Sequence, residues 1–280
     1  MTRREPGRPD LAVNPRIVEE VLTGFIRDET LRAGKKRVVV GLSGGIDSAL
    51  SATLARRALG EDGVIGILMP YRSSDPSGVK DAGALARKLG IRTELLDVTP
   101  MVDAYFSSRP RASRIRRGNK MARERMSILY DRSAVHEALV LGTSNKTELL
   151  LGYGTIHGDM ASSINPIGDL YKTQVRQMAR HLRIPASIRS KVPSADLWPE
   201  QTDESEIGYS YEMIDQLLYL LVDERYTLDD ALAAGWPRSM LTRISRLIIR
   251  SQYKRRMPLI AKISRRTVGV DFRYPRDWGT

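Results

Sequence analysis

Val38-Val39-Val40 runs directly into Gly41-Leu42-Ser43-Gly44-Gly45-Ile46-Asp47-Ser48, and beyond it Leu50, Leu54, Ala55, Ala58 and Leu59 fall on one helix face. The order is strand, glycine-rich loop, helix. Such a junction builds an anion site: glycines let consecutive N–H groups turn inward, and the helix N-terminus adds partial positive charge. Ser43 and Ser48 add hydroxyl donors, so the stretch from Gly41 to Ser48 is expected to cradle phosphates. Asp47 stands where a phosphate would sit, which is unfavourable unless a cation lies between the two; it is read as a Mg²⁺ ligand. No Gly-Lys-Ser/Thr follows and the G-x-G-x-x-G spacing is absent, so neither a Walker A loop nor a dinucleotide fingerprint is present. A structural glycine turn is the plainer alternative; two serines and an aspartate at these spacings argue against it.

The flanking chain alternates strands and helices. From Pro15, Ile17/Val18, Val21/Leu22 and Phe25/Ile26 mark an amphipathic helix that Gly34 ends. Val64 to Met69 is a continuous apolar run, as in a strand buried on both faces, and Pro70 stops it. Asp75-Pro76 caps a helix carrying Val79, Ala82, Leu85, Ala86 and Leu89 and closed by Gly90. Arg92 to Leu96 is a further strand, and a helix follows Pro100. The basic stretch 109–125 is expected to start irregular and become helical near Lys120. Ala138 to Gly142 is the next buried strand, and Ser144 or Asn145 caps a helix through Leu151. Residues 152–170 are rich in glycine and proline and form a long loop, either a lid or disordered. Tyr171 to Leu182 is a helix, Ser187 to Gly208 is irregular, and the chain is helical from about residue 209, with Met240, Leu241, Ile244, Leu247 and Ile248 on one face. This pattern predicts an α/β fold, an open doubly wound parallel sheet with a helical C-terminal part. Residues 1–14 are read as a mobile basic tail, 15–260 as the folded domain and 261–280 as a C-terminal tail.

The 280 residues are 41% hydrophobic, enough for one sizeable core. The longest apolar run, Leu217 to Val222, is far too short to span a bilayer, and no apolar segment follows the basic N-terminus, so a cytoplasmic protein is expected. There is no cysteine, which excludes disulfides and thiolate metal sites. A formal charge of +12 points to polyanionic partners, or else to a solvated basic surface. The cations cluster between Arg109 and Arg125 and again at Lys254, Arg255 and Arg256. Neither cluster holds a nucleic-acid motif and aromatics are 6%, so nucleotide substrates rank above nucleic acid.

Ser43-Gly44-Gly45-Ile46-Asp47-Ser48 resembles the pyrophosphate loop of the N-type ATP pyrophosphatases, which split ATP between its α and β phosphates. Four further stretches narrow the likeness: Gly118 to Met126, Gly142 to Glu148, Asn165 to Thr173 and Pro193 to Trp198. With the loop, and in order from about residue 15 to 260, they resemble the ammonia-dependent NAD synthetases, in the compact form without a glutaminase domain. The resemblance implies a fold of the adenine-nucleotide α-hydrolase type and amidation of deamido-NAD to NAD. The nicotinate carboxylate attacks the α-phosphate of ATP, pyrophosphate leaves, and ammonia then displaces AMP from the acyl-adenylate. It further implies that Asp47 and Glu148 bind Mg²⁺, that Thr143, Lys172 and Ser194 join the loop in holding ATP, and that Asp47 and Lys172 are catalytic. Arg123, Asp159, Tyr253 and Lys254 would face deamido-NAD, in a homodimer that shares the dinucleotide site. A chain without cysteine lacks the nucleophile of sulfur transfer and of glutamine hydrolysis, so ammonia comes free or from a separate glutaminase chain. Singly, each residue has a plainer reading: Glu148 as a first-turn acid, Thr143 as a turn residue, Lys172 as a solvated lysine and Arg123 as a surface ion pair.

The likeness breaks on one side. Ile156 stands where the family carries lysine, Ser163 where it carries an acid, and Tyr253-Lys254 replaces a His-Lys pair. All three belong to the deamido-NAD side, and isoleucine cannot replace a charge-assisted contact, although His157 is adjacent. Three rival readings stay open: an adenylating amide ligase for another carboxylate, an RNA-modifying pyrophosphatase, and a non-catalytic nucleotide-binding homologue.

Overall fold

A computed structural model describes residues 9–194, 196–198, 201–256, 258–268 and 271. Four parallel strands form its sheet: β1 (Arg37–Gly41), β2 (Val64–Leu68), β3 (Arg92–Leu95) and β4 (Ala138–Leu141), in the order β3-β2-β1-β4. The chain steps from β1 outward through β2 to β3, then returns to place β4 on the other side of β1. The strand order therefore reverses between β1 and β4, and the loops leaving those two strands face one crevice at the carboxyl edge.

Period-two alternation distributes the strand residues between two cores. Val38, Val40, Val64, Leu68 and Leu141 face a layer made by α1 (Pro15–Arg32), α2 (Ile46–Leu59), α3 (Pro76–Leu89), α7 (Lys172–His181) and α8 (Ala186–Arg189). Val39, Ile65, Ile67, Met69 and Val140 face α4 (Thr99–Phe106) and α5 (Arg114–Val135). This is the doubly wound parallel sheet that the sequence predicts.

Helix α5 begins at Arg114, one and a half turns before the expected start near Lys120. Ser113 caps it, accepting from the Arg116 N–H at 3.4 Å. The arginine run suits a helix because straight-chain residues lose little rotamer freedom there. Arg114 and Arg117 also lie over the rings of Trp198 and Phe106, and Lys120 over Tyr105, which disperses the like charges.

After β4, α6 (Lys146–Leu151) leads to the long loop, whose residues 163–164 run beside β4: Ser163 N donates to Val140 O at 2.9 Å and Gly142 N to Ile164 O at 2.7 Å. The stretch expected to be irregular, Ser187 to Gly208, takes in the end of α8 and a short helix, α9 (Asp203–Ile207), capped by Thr202. A third core joins α10 (Tyr211–Leu218), α11 (Leu228–Ala233) and α12 (Arg238–Ser251), with a π-turn at Tyr219–Asp223 and a 3-10 turn at Gln252–Arg255. Leu11 is buried in it, the side-chain amides of Gln174 and Gln177 donate to its carbonyl and Gln177 accepts from Val13 N, so residues 11–13 lie against α7; residues 1–8, 269–270 and 272–280 of the expected tails fall outside the described residues.

The helical layer docks on α6 at Gly152, where φ is +65° and a Cβ would sit 2.0 Å from Ser251 Cβ. Gly152→Ala is expected to cost about 2–4 kcal/mol, from left-handed strain plus overpacking, read as a lower urea midpoint.

Candidate active site

The loop closes on itself before it meets any ligand. Gly44 takes φ +78° and passes so close to α3 that a Cβ would lie 2.3 Å from Gly78 O. Ser48 Oγ donates to Gly45 O at 3.0 Å and accepts from Ser43 N at 3.3 Å; Ser43 Oγ accepts from Gly45 N at 3.2 Å. Gly45 is the N-cap of α2 and makes no side-chain cap bond, so the first N–H groups of that helix are free to meet an anion. Leu42 is buried and Ile46 packs on the core, so side chains at both ends of the turn anchor it.

Three helix N-termini converge beside this loop. Asp47 is in the first turn of α2, Glu148 in the first turn of α6, and Lys172 is the first residue of α7. The Lys172 ammonium donates to Asp47 Oδ2 at 2.5 Å and to Glu148 Oε1 at 3.2 Å. The second oxygen of each carboxylate is held by Asn145, which caps α6. Its Nδ2 donates to Asp47 Oδ1 at 2.9 Å, and its backbone N–H donates to Glu148 Oε2 at 3.2 Å. Lys172 is 2% exposed, so its plainer reading as a solvated lysine is excluded. Its own backbone is fixed from the helical layer: Lys172 N donates to Thr147 Oγ1 at 3.0 Å, and Asp215 accepts from the Thr147 hydroxyl at 2.6 Å and from Thr173 N at 2.7 Å.

The electrostatics follow from burial. Burial works against the Lys172 ammonium, but the charges of Asp47 and then Glu148 outweigh it and hold the group above the ordinary lysine range. Burial pushes the Glu148 carboxyl upward; Lys172 opposes this and Asp47 adds to it. Two carboxylates that gain from a nearby cation, beside a phosphate loop, suit Mg²⁺, which binds through one or two carboxylates, waters and substrate phosphates. No set of three or more His, Cys, Asp or Glu able to hold a metal occurs among the described residues, so an all-protein cage is not on offer.

Two residues of this cluster have no local signal in the sequence. The Tyr211 ring lies 5.2 Å from the Lys172 ammonium, and its hydroxyl donates to Asp203 Oδ2 at 2.9 Å. Asp203 is 4% exposed, its Oδ1 has no hydrogen-bond partner, and burial raises its carboxyl against the pull of Lys172. Both open helices, so in the sequence they read as a first-turn acid and a core aromatic.

The remaining candidates lie elsewhere. Thr143 leaves β4 half-buried, on the same crevice edge. Ser194 is exposed on the segment after α8, where it accepts from Asp196 N at 3.0 Å. The expected substrate residues gather around the long loop and largely hold that loop. Arg123 Nε donates to Ile156 O at 3.2 Å, and the Lys254 ammonium to Gly152 O and Gly154 O, both at 2.8 Å. Asp159 Oδ1 accepts from Thr155 N at 2.9 Å. Tyr253 is exposed and, with Ile156 and His157, lines an open recess of about 610 Å³.

The chain matches the model of the NAD synthase family over residues 18–258. It is 55% identical to an NH3-dependent NAD(+) synthetase from Chlorobaculum parvum, over 96% of this chain and 97% of the relative. Among solved structures, an NMN synthetase from Francisella tularensis superposes with a TM-score of 0.80 at 31% identity, covering 89% of this chain and 99% of that one. An NH3-dependent NAD synthetase from Campylobacter jejuni does so with 0.77 at 34%, covering 90% and 100%.

Lys172→Met leaves Asp47 and Glu148 without their buried counter-charge. A loss of about 3 kcal/mol is expected in urea unfolding at neutral pH, the low end for breaking a buried pair because both carboxylates keep some solvent contact.

Proposed function

The chain belongs to the NAD synthase family, and from that premise we propose that it is a carbon–nitrogen ligase that amidates deamido-NAD with ammonia at the expense of ATP. The observation that carries this reading is the convergence of Asp47, Glu148 and Lys172 beside the phosphate loop, where the strand order reverses. A carboxylate oxygen of the substrate attacks the α-phosphorus, and the bond to pyrophosphate breaks. The ammonia nitrogen then attacks the acyl carbon, the bond to AMP breaks, and a proton is lost to solvent. Lys172 is a fixed positive charge for the phosphoryl oxygens, already oriented by the Thr147–Asp215 contacts, so little reorganisation opposes the transfer. The N–H groups from Ile46 onward, at the start of α2, take the pyrophosphate end. Asp47 and Glu148 are the residues that would hold Mg²⁺, which supplies charge neutralisation on the phosphates.

On the same reading the enzyme is a cytoplasmic homodimer. No helix among the described residues is long and apolar enough to cross a membrane, and the second copy is what the family resemblance implies.

One observation favours a second carboxylate. Ile156, Ser163 and Tyr253 depart from the family on the dinucleotide side, and the Francisella likeness is to an NMN synthetase. Nicotinate mononucleotide carries the same nicotinate carboxylate on a smaller body, and the adenylating cluster would treat both alike.

Incubation with ATP, Mg²⁺ and ammonium should give AMP plus NAD from deamido-NAD, or AMP plus NMN from nicotinate mononucleotide, and the two kcat/KM values rank the readings. Pyrophosphate release with neither substrate would reject both. Glutamine in place of ammonium should give no amide, because the chain has no cysteine. Asp47→Asn should lose activity by at least about a hundredfold in a protein that still folds but melts at a lower temperature, because the site loses a preorganised charge and Lys172 loses one of its two buried counter-charges. A variant retaining full turnover would make Asp47 structural.

A further inference from the structure

A second basic recess adjoins the phosphate loop from outside. It measures about 180 Å³ and is lined by Arg176 and Arg180 of α7, Arg189 and Ser190 at the end of α8, and Ile46 of the loop itself. Lys172, Arg176 and Arg180 are spaced four residues apart on α7, so they form one stripe that starts at the Asp47–Glu148 pair and ends roughly 12 Å along the axis. Arg176 is shared with Glu212 and, at 3.7 Å, Glu204. Arg180 and Arg189 have no ion pair with any described residue; Arg189 Nε donates only to Ile184 O, at 2.8 Å. Arg180 and Arg189 are exposed, so solvent tempers their mutual repulsion, and their planar forks are left available to match phosphate oxygens.

We propose that this recess binds inorganic pyrophosphate, as a holding site for the product leaving the loop. The lining decides the class of ligand: three guanidiniums and the Ser190 hydroxyl around one recess match the oxygens of a phosphate anion. Its position supplies the source, since Ile46, which lines it, is the first residue of the helix whose N-terminal N–H groups take the pyrophosphate end of ATP on the functional reading above. Removal of pyrophosphate from the loop blocks reversal, in which a pyrophosphate oxygen attacks the α-phosphorus of the adenylate, re-forms ATP and frees the carboxylate. The product assignment rests on the adenylation reading; the site itself does not.

The test separates the two. With the loop saturated by a non-hydrolysable α,β-methylene ATP analogue, wild type should bind one further pyrophosphate by calorimetry, at about 0.15 M salt. Arg180→Ala/Arg189→Ala should weaken that binding at least tenfold, about 1.4 kcal/mol, with analogue affinity and melting temperature unchanged. The exposed single variant Arg180→Gln should give a smaller loss in the same direction. Analogue affinity falling tenfold in the double variant would overturn the proposal, because the recess would then hold the tail of ATP rather than released pyrophosphate. Absence of the extra pyrophosphate in wild type, equal binding in the variants, or equal binding of sulfate would overturn the proposal. Pyrophosphate binding that depends on the arginines, in a protein that amidates neither carboxylate, would keep the site and reject the functional reading.

Discussion

The structure depends on one buried ammonium. Lys172 has almost no solvent contact, and a charge so placed is tolerable only where opposite charges reach it with good geometry. Asp47 and Glu148 supply them, and Asn145 occupies the oxygens that Lys172 leaves free. Each partner begins a different helix, so the pair forms only when the loops after β1 and β4 and the start of α7 arrive together. The same demand that fixes the fold there fixes the positions of all three charges in the crevice.

Support for this cluster comes from behind, through the helical layer. Asp215 of α10 takes the hydroxyl of Thr147 and the N–H of Thr173, so α6 and α7 are held at one angle. Tyr211 closes the floor beneath Lys172 and is itself tied to Asp203. Burial and the charges of Glu148, Asp203 and Asp47 keep the Tyr211 phenol protonated, so it remains a neutral donor. The C-terminal helices, which carry none of the phosphate loop, thus set the stiffness of the site that binds to it.

The dinucleotide side is built on a different principle. Lys254 and Arg123 direct donors at carbonyls of the long loop, which fixes its backbone and spends hydrogen-bonding capacity there. Ser163 runs beside β4, and its hydroxyl accepts from Val140 N at 3.3 Å. Ile156 and Tyr253 meet on one recess, where their apolar and aromatic surface stands beside His157 and Arg256.

Much of this was legible in the sequence. Val38-Val39-Val40 before two glycines could only be a buried strand entering a tight turn, and the alternation of strands and helices left the parallel sheet as the economical architecture. The phosphate loop was readable because its chemistry lies in consecutive residues and backbone N–H groups. The start of α5 was not, because the aromatic partners of its arginines come from other elements, even though the Ser113 cap is local. Asp203, Asp215 and Tyr211 were likewise hidden: a first-turn acid and a core aromatic look ordinary until folding brings them beneath a buried lysine. Sequence determined which groups could bind phosphate, since that depends on local backbone and side-chain type. Tertiary structure decided which charges meet, which are spent holding a loop and which stay unpaired, because those are sums over contacts between residues distant along the chain.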